Sequence, residues 1–460
     1  MSFGTYGRQA LMAAIAAGAA LLALWPPAPL EPQQARTLAV VIVTLGFWAT
    51  SLLPPFLTAM GFFAALLISG LAPPDLVFSG FTSAAIWLIT AGFVIGKAIQ
   101  VTGLGQRLAE AVAPHLSRSY PMLIGGLMLM GAGLSFLMPS SVGRAMLLVP
   151  IGMALADTLG LTPGSRGRTG VAVCVAFAAN VPGFAVLPAN LPNMVLTGAA
   201  DSILGIHFGY ADYLLLHFPI LGLVRCALLV VLILRIFPAE APELGRAAAA
   251  APEPGGRQLW LMAILLATLA LWTTDRLHGI NPAWVGLGAA VLILLPRIGF
   301  VSPPQFRESA DFPTLLLVAG VLGLGAVVSH AGLGVVLADL VSGVLPMAPG
   351  QDFANFVSLS LLATLTAVIS TMPGVPAVLT PLAEQLAAQT GLPVETVLMT
   401  QVIGFSTVLL PYQAPPVLIA LGLAKEPPRV IVKMLLILAA VTFLVLVPLD
   451  FLWWRMLGWI

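Results

Sequence analysis

The sequence predicts an all-α polytopic membrane protein, with about eleven transmembrane helices and two re-entrant hairpins arranged as an inverted five-helix repeat. Three observations predict it. Of 460 residues, 59% are apolar and 8% charged, against about 25% charged in an ordinary soluble domain. Apolar runs of roughly 20 residues, the length that crosses a hydrocarbon core, recur from end to end. One interrupted pattern also occurs twice: Met138-Pro139-Ser140-Ser141-Val142-Gly143-Arg144 ahead of Pro150 and Gly160, and Ser370-Thr371-Met372-Pro373-Gly374-Val375 ahead of Pro381 and Gly391.

In chain order, residues 9–26 read as a first span. Arg8 precedes it, and no small-residue cleavage site stands before Pro26-Pro27-Ala28-Pro29, so the run is not read as a signal peptide. Residues 1–33 thus form an N-terminal unit. A first repeat comes next over 34–237, with spans at 36–53, 55–72, 83–102, 167–205 (broken) and 211–237 and a hairpin at 120–159. Residues 238–256, rich in Pro and Ala, read as a cytoplasmic linker. The second repeat, 257–460, carries spans at 258–275, 282–298, 312–330, 394–424 (broken) and 429–456 and a hairpin at 352–390. Each hairpin is two apolar halves around a polar interruption. Each half could cross if straight, and a break at the tip also fits a loop that dips in and returns.

Charge sets the orientation. With the N-terminus in the cytoplasm of a cell with an inner (plasma) membrane, 14 of the 19 Lys and Arg residues fall inside, as the positive-inside rule requires. Only Arg36, Arg276 and Arg455 fall outside, and Arg144 and Arg225 lie at membrane depth. Trp453, Trp454 and Trp459 fit an interfacial belt beside Arg455. The net charge of +1 offers no footprint for nucleic acid. Cys174 and Cys226 sit in apolar runs, where a free cysteine is a small packing residue.

Matched residues register the two halves at separations of 229 (Gly103 to Gly332), 231 (Pro150 to Pro381) and 223 (Pro188 to Pro411). Near-constant offsets argue duplication. Five crossings lie between the span at 83–102 and its partner at 312–330, and an odd number inverts the second copy. The breaks fall at Pro139 and Gly143, Pro188 and Pro192, Pro373 and Gly374, and Pro411 and Pro415. Broken backbone at membrane depth is tolerated only where it is buried or lines a cavity. A repeated pair of interrupted segments is the sequence pointer to the binding site of a secondary transporter. Half-helices starting after each break aim unpaired N–H groups and a positive dipole end at that site, a cradle for an anion.

Polar residues at the breaks are the candidate substrate contacts: Ser140, Ser141, Arg144, Asn190 and Asn193 in the first half, and Ser370, Thr371 and Gln413 in the second. A guanidinium near the bilayer centre is costly unless paired, and its planar fork suits carboxylate, sulfate or phosphate oxygens. Arg144 therefore reads as a fixed positive charge for an anion. Its alternative is a bond to carbonyls freed at the break. Ser140, Ser141 and Thr371 could also ligate Na⁺, and the Asn and Gln side chains either meet ligand or cap a broken end. Arg225, mid-span, reads as structural or electrostatic. Proton coupling would want an intramembrane acid, and Asp157 and Glu384 sit toward the open ends of the hairpins. The five histidines, among them His217 near a span entrance, make no metal spacing, and no resident cofactor is expected.

With these breaks in place, the chain resembles the divalent anion/sodium symporter family over roughly residues 35–455. The resemblance rests on the two hairpin-tip motifs, each with a proline ten positions on, and on Pro188 to Asn193 and Pro411 to Pro416. The family pattern at each tip is Ser-Asn-Thr. Ser140-Ser141-Val142 and Thr371-Met372-Pro373 stand there instead, so the chain is a divergent member. The resemblance implies a homodimer in lipid, a scaffold of early spans, and a mobile transport domain of hairpins, broken helices and the spans at 211–237 and 429–456. It also implies a small anionic substrate (a dicarboxylate, sulfate or related organic acid) between the tips, moved by alternating access with Na⁺ as the coupling ion. The alternatives are an oxyanion, arsenite-type or sulfonate permease or exporter, and a channel-like anion uniporter. No Ser–His pair, Asp–Asp pair or metalloprotease motif stands in the apolar runs, so no enzyme is expected.

Overall fold

Apolar segments with no water to serve their backbone must close their hydrogen bonds internally, and here they do so as helices. The computed structural model describes residues 5–27, 30–50, 52–116, 118–239, 255–297, 299–342, 345 and 347–460. Every regular element among them is helical. Most of the expected linker, residues 240–254, lies outside the described residues. Large apolar side chains such as Ile68, Leu129, Ile369 and Leu444 face outward, as a lipid-facing surface requires.

Helix boundaries track the apolar runs closely. The N-terminal span is Thr5–Leu24; the early spans of the first half are Pro32–Thr50, Pro55–Ser69 and Ala84–Thr102, and their second-half counterparts are Gly256–Thr273, Pro282–Leu294 and Phe312–His330. Two short helices were not expected, Leu104–Leu116 and Leu333–Ser342. They come directly after the matched glycines Gly103 and Gly332, both at φ 67°. A left-handed residue there ends the preceding helix and redirects the chain, and glycine adopts it without a Cβ clash.

The expected interruptions are present. The first hairpin runs Tyr120–Leu137, then Ser141–Thr158. Its break is Met138–Ser140, so Ser141 and Val142 belong to the first turn of the second limb rather than to the tip. The second hairpin runs Asp352–Ser370, then Gly374–Leu379, a 3-10 turn at Thr380–Leu382, and Ala383–Thr390. One broken helix is Arg166–Asn180, two 3-10 turns, then Leu191–Leu204. The other is Val394–Ser406, Pro411–Gln413 and Pro415–Leu423.

The halves exchange partners. Ala84–Thr102 packs on Pro282–Leu294, and its counterpart Phe312–His330 packs on Pro55–Ser69. The limb Ser141–Thr158 packs on Pro415–Leu423 of the second broken helix, and Gly374–Leu379 packs on Leu191–Leu204 of the first.

The spans that close each half, Tyr210–Ile236 and Arg429–Met456, both contain a π turn, at Phe218–Val224 and Thr442–Leu446. Pro219 lies in the first and Pro448 just after the second. A proline removes the bond to the carbonyl four residues back. The Leu215 carbonyl freed by Pro219 accepts instead from Trp453 Nε1 of the other span at 3.0 Å. Trp454, expected in an interfacial belt, is fully buried against Phe356 and His217. The reason is that Arg429–Met456 packs along Asp352–Ser370 and Tyr210–His217, which turns that side of the helix inward.

Candidate functional site: two arginine-capped breaks

In the first half, Arg144 stands on the first turn after the hairpin break, with Ser140 as N-cap accepting from Gly143 N at 3.1 Å. A cation at a helix N-terminus meets an unfavourable dipole. Its side chain escapes by reaching the opposite kind of end. Nε donates to the Ala179 carbonyl at 2.8 Å, at the close of Arg166–Asn180. Nη1 donates to the Met138 and Ala189 carbonyls, and Nη2 to Ala189 O at 3.2 Å and Ser141 Oγ at 3.0 Å. All five guanidinium donors are thereby used, and the residue is 0% exposed. In this state the fork answers carbonyls freed at two breaks, the alternative the sequence allowed, and no donor is left over for an anion.

The surrounding side chains complete that network. Ser141 Oγ donates to Asn190 Oδ1, and Asn190 Nδ2 donates to Asn180 O at 3.2 Å. Asn193 Nδ2 donates to Gly183 O and Val186 O, each at 2.9 Å, holding the two 3-10 turns. Gly183 is required here: a Cβ would lie 2.4 Å from Arg144 Nη2 and 3.1 Å from Asn190 Nδ2.

The second broken helix repeats the theme with an arginine from the first half. Arg225, just after the π turn of Tyr210–Ile236, donates from Nη1 to Ser406 Oγ at 2.9 Å and from Nη2 to Ser406 O at 2.7 Å. It caps the close of Val394–Ser406 as Arg144 caps the close of Arg166–Asn180. Gln413 Oε1 accepts from Leu409 N and Leu410 N at 3.0 and 2.8 Å. Tyr412 ties the break to the hairpin by donating to Val368 O at 2.7 Å. Ser370 donates to Thr366 O at 2.9 Å. Thr371 sits at φ 69°, ψ 166°, a region that β-branched residues seldom enter.

The geometry brings Ser140, Ser141, Arg144, Asn190 and Asn193 together at the first break, while Ser370 and Thr371 stand at the second tip and Gln413 holds its own break, linked to that hairpin through the neighbouring Tyr412. The rings of Phe184 and Phe405, 6.1 Å apart, join the two breaks, and Tyr213 braces the first by donating to Phe184 O at 2.9 Å. Ser140 and Thr371 remain part-exposed at the tips. On the broken helices, four buried amide atoms have no partner among the described residues: Asn180 Oδ1, Asn193 Oδ1, Gln401 Oε1 and Gln413 Nε2. Such atoms await water or ligand.

Sequence reasoning missed one group. Asp450 lies inside Arg429–Met456, 0% exposed and with neither oxygen hydrogen-bonded. Its signal was present, an acid within an apolar span, but the neighbouring tryptophans and Arg455 gave that stretch the look of an interface. Asp157 and Glu384 are exposed at the hairpin bases as expected, Asp157 paired with Arg168. His217 is buried, with Nε2 3.4 Å from Met399 Sδ. Among the described residues, no group of three or more His, Cys, Asp or Glu side chains is placed to hold a metal ion.

Known proteins resemble this chain along its length. A protein described as a membrane protein from Cupriavidus necator is 24% identical over 98% of this chain and 93% of its own. A chloroplastic dicarboxylate transporter 2 of spinach is 26% identical over 67% of this chain and 56% of its own. A putative malate transporter of Bacillus subtilis, YflS, is 26% identical over 62% of each. The crystal structure of the YdaH transporter from Alcanivorax borkumensis, described as having an unusual topology, superposes with a TM-score of 0.55 over 83% of this chain and 87% of its own, at 17% identity. With the transmembrane-region model of the sodium:sulfate symporters matching residues 8–460, the chain belongs to that family.

Proposed function

We propose that this chain moves a small dianion, a dicarboxylate first of all, across the inner membrane by alternating access. Membership of a transporter family already makes it a transporter rather than an enzyme. The observation that supports the finer reading is that each interrupted hairpin packs on the broken helix of the other half, with part-exposed hydroxyls at both tips and unpartnered amides on the broken helices. Ser140 and Thr371 contact the anion, Ser141, Asn190, Asn193, Ser370 and Gln413 shape the cradle, and Arg144 supplies fixed positive charge from behind it. The names of the spinach and Bacillus relatives point to dicarboxylates and malate. The same reading carries the inverted repeat, the scaffold and transport domains, the homodimer and the cytoplasmic N-terminus.

The family description names sodium. In the first half, the oxygens that suit such a cation, three carbonyls and Ser141 Oγ, are held by Arg144. A hard cation needs an oxygen cage, so Na⁺ does not fit there while the guanidinium stays. Arg144 is then a built-in cation, and any Na⁺ dependence is confined to the second tip near Ser370 and Thr371.

Uptake of labelled malate, succinate and sulfate into proteoliposomes tests this. Expected are saturable uptake, counterflow against unlabelled malate, and a KM roughly tenfold higher in Ser140→Ala or Thr371→Ala, the size of one lost charge-assisted hydrogen bond. Flux without saturation or counterflow, or transport of none of the three, would end the reading.

A further inference from the structure

We infer that Asp450 is a proton-binding site, and that Arg225 links its charge to the end of the second broken helix. Complementary unpaired groups on neighbouring spans point to it. Asp450 offers two buried oxygens without a donor, and Arg225 offers a buried Nε without an acceptor. The π turn before Arg225 packs against the span that carries Asp450, and no hydrogen bond joins the two residues. Arg225 spends its other nitrogens on Ser406.

A carboxylate stripped of water and of donors is not stable as an ion, so Asp450 carries a proton in this state. The surrounding groups determine how a charge on it would be answered. From Tyr210–Ile236 come Arg225, its neighbour Cys226, Tyr213 and His217. The His217 ring lies 4.6 Å from Tyr213 and 5.6 Å from Trp454, one turn beyond Asp450. From Asp352–Ser370 the one ionisable residue is Asp352, at the exposed first turn. From Val394–Ser406 it is Glu395, also exposed; from Arg166–Asn180 they are Arg166, exposed, Arg168, paired with Asp157, and the buried Cys174; and Arg429, Lys433 and Arg455 on the same span as Asp450 are exposed too. Arg225 is therefore the buried cation able to answer a charge on Asp450.

Loss of the proton breaks the Oδ–H bond and sends H⁺ to the aqueous side, leaving an anion with acceptors for Arg225 Nε. The guanidinium is drawn toward it and away from Ser406, which frees the carbonyl at the break. Proton return reverses both changes. The hinge is at hand, because Arg225 comes directly after the π turn Phe218–Val224, and π bulges are local distortions that cluster at functional sites. In a chain whose first cation cage is filled by Arg144, such a site gives transport an ion to use. This second step, coupling, rests on the transport reading, whereas the proton site does not.

Infrared difference spectra of the purified protein decide the proton site. The wild type should show the carbonyl-stretch band of a protonated carboxylic acid that Asp450→Asn lacks, and the band should vanish reversibly between about pH 5 and about pH 9. A band unchanged over that range, or no band assignable to Asp450, overturns the site. Should Asp450→Asn fail to fold, Ser406→Ala serves: it removes an acceptor of Arg225 and should shift the pH at which the wild-type band is lost, and an identical titration overturns the link. In proteoliposomes, one coupled proton converts a gradient of one pH unit into about a tenfold accumulation of labelled malate. Asp450→Asn should abolish accumulation and keep counterflow. Malate transport in the wild type indifferent to the gradient overturns coupling. If malate is not carried, the substrate reading fails alone and the infrared titration still decides the site.

Discussion

The two breaks face one physical problem and meet it differently. Each ends a half-helix inside the protein, freeing carbonyls where no water serves them, and each is capped by an arginine. At the first break, Arg144 comes from the adjoining hairpin and spends every donor on acceptors from three separate segments. At the second, Arg225 comes from a flanking span, bonds only Ser406, and keeps Nε free beside an unpartnered acid. A saturated arginine is a fixed part of the architecture. An arginine with an unused donor has somewhere else to go. The difference separates a break that holds charge from a break that can move it.

Paired substitutions break or sharpen that contrast. Arg144→Gln leaves buried carbonyls at Met138, Ala179 and Ala189 short of donors and should cost about 3–5 kcal/mol, the scale for breaking a buried ionic network. Arg144→Lys should be nearly as damaging, because one ammonium cannot span acceptors arranged for a planar fork. Arg225→Gln loses bonds to a single residue and should cost about 1–3 kcal/mol. Thermal unfolding in detergent, monitored by tryptophan fluorescence, compares them. Equal losses would erase the distinction between the two breaks.

Much of this was legible in the chain itself. Span positions come from apolar length, and Phe312–His330 and Arg429–Met456 fall where the hydrophobic runs predict. The breaks come from proline, which cannot donate to a helix. Arg144 stood out because a charge in an apolar run is conspicuous. Its partners did not, because four of its five bonds go to backbone carbonyls, which every residue carries and no letter of the sequence marks. The π turns were hidden for the same reason. Asp450 was misjudged because burial depends on which face of a helix meets its neighbours, and near a span end the pattern of tryptophan and arginine looks alike whether it faces lipid or protein.

A smaller effect probes the fit of the first break. Gly183→Ala forces a Cβ to within 2.4 Å of Arg144 Nη2 and should cost about 1–3 kcal/mol, as overpacking does. The informative measurement is the double mutant. In an Arg144→Gln background the obstacle is gone, so the alanine should cost much less, giving a coupling of about 1–2 kcal/mol. Additive losses would mean that Gly183 serves the turn rather than the guanidinium.

The smallest effect contrasts the hairpin tips. Ser140 lies at φ −124°, in ordinary extended backbone, whereas Thr371 is held at φ 69°, ψ 166°. That region belongs essentially to glycine and costs other residues about 1–3 kcal/mol. Thr371→Gly removes the strain but adds freedom to the unfolded chain, worth roughly 0.5–1 kcal/mol, so a net gain of about 1 kcal/mol is expected. Thr371 is part-exposed at the tip. Thr371→Ala, which keeps the backbone strain, should show no such gain. Both variants lose the hydroxyl and should share the same rise in malate KM. A stabilised glycine variant with impaired uptake would mean that the second tip stores strain for the sake of its ligand contact. A destabilised one would mean that the threonine side chain is itself what holds the tip in shape.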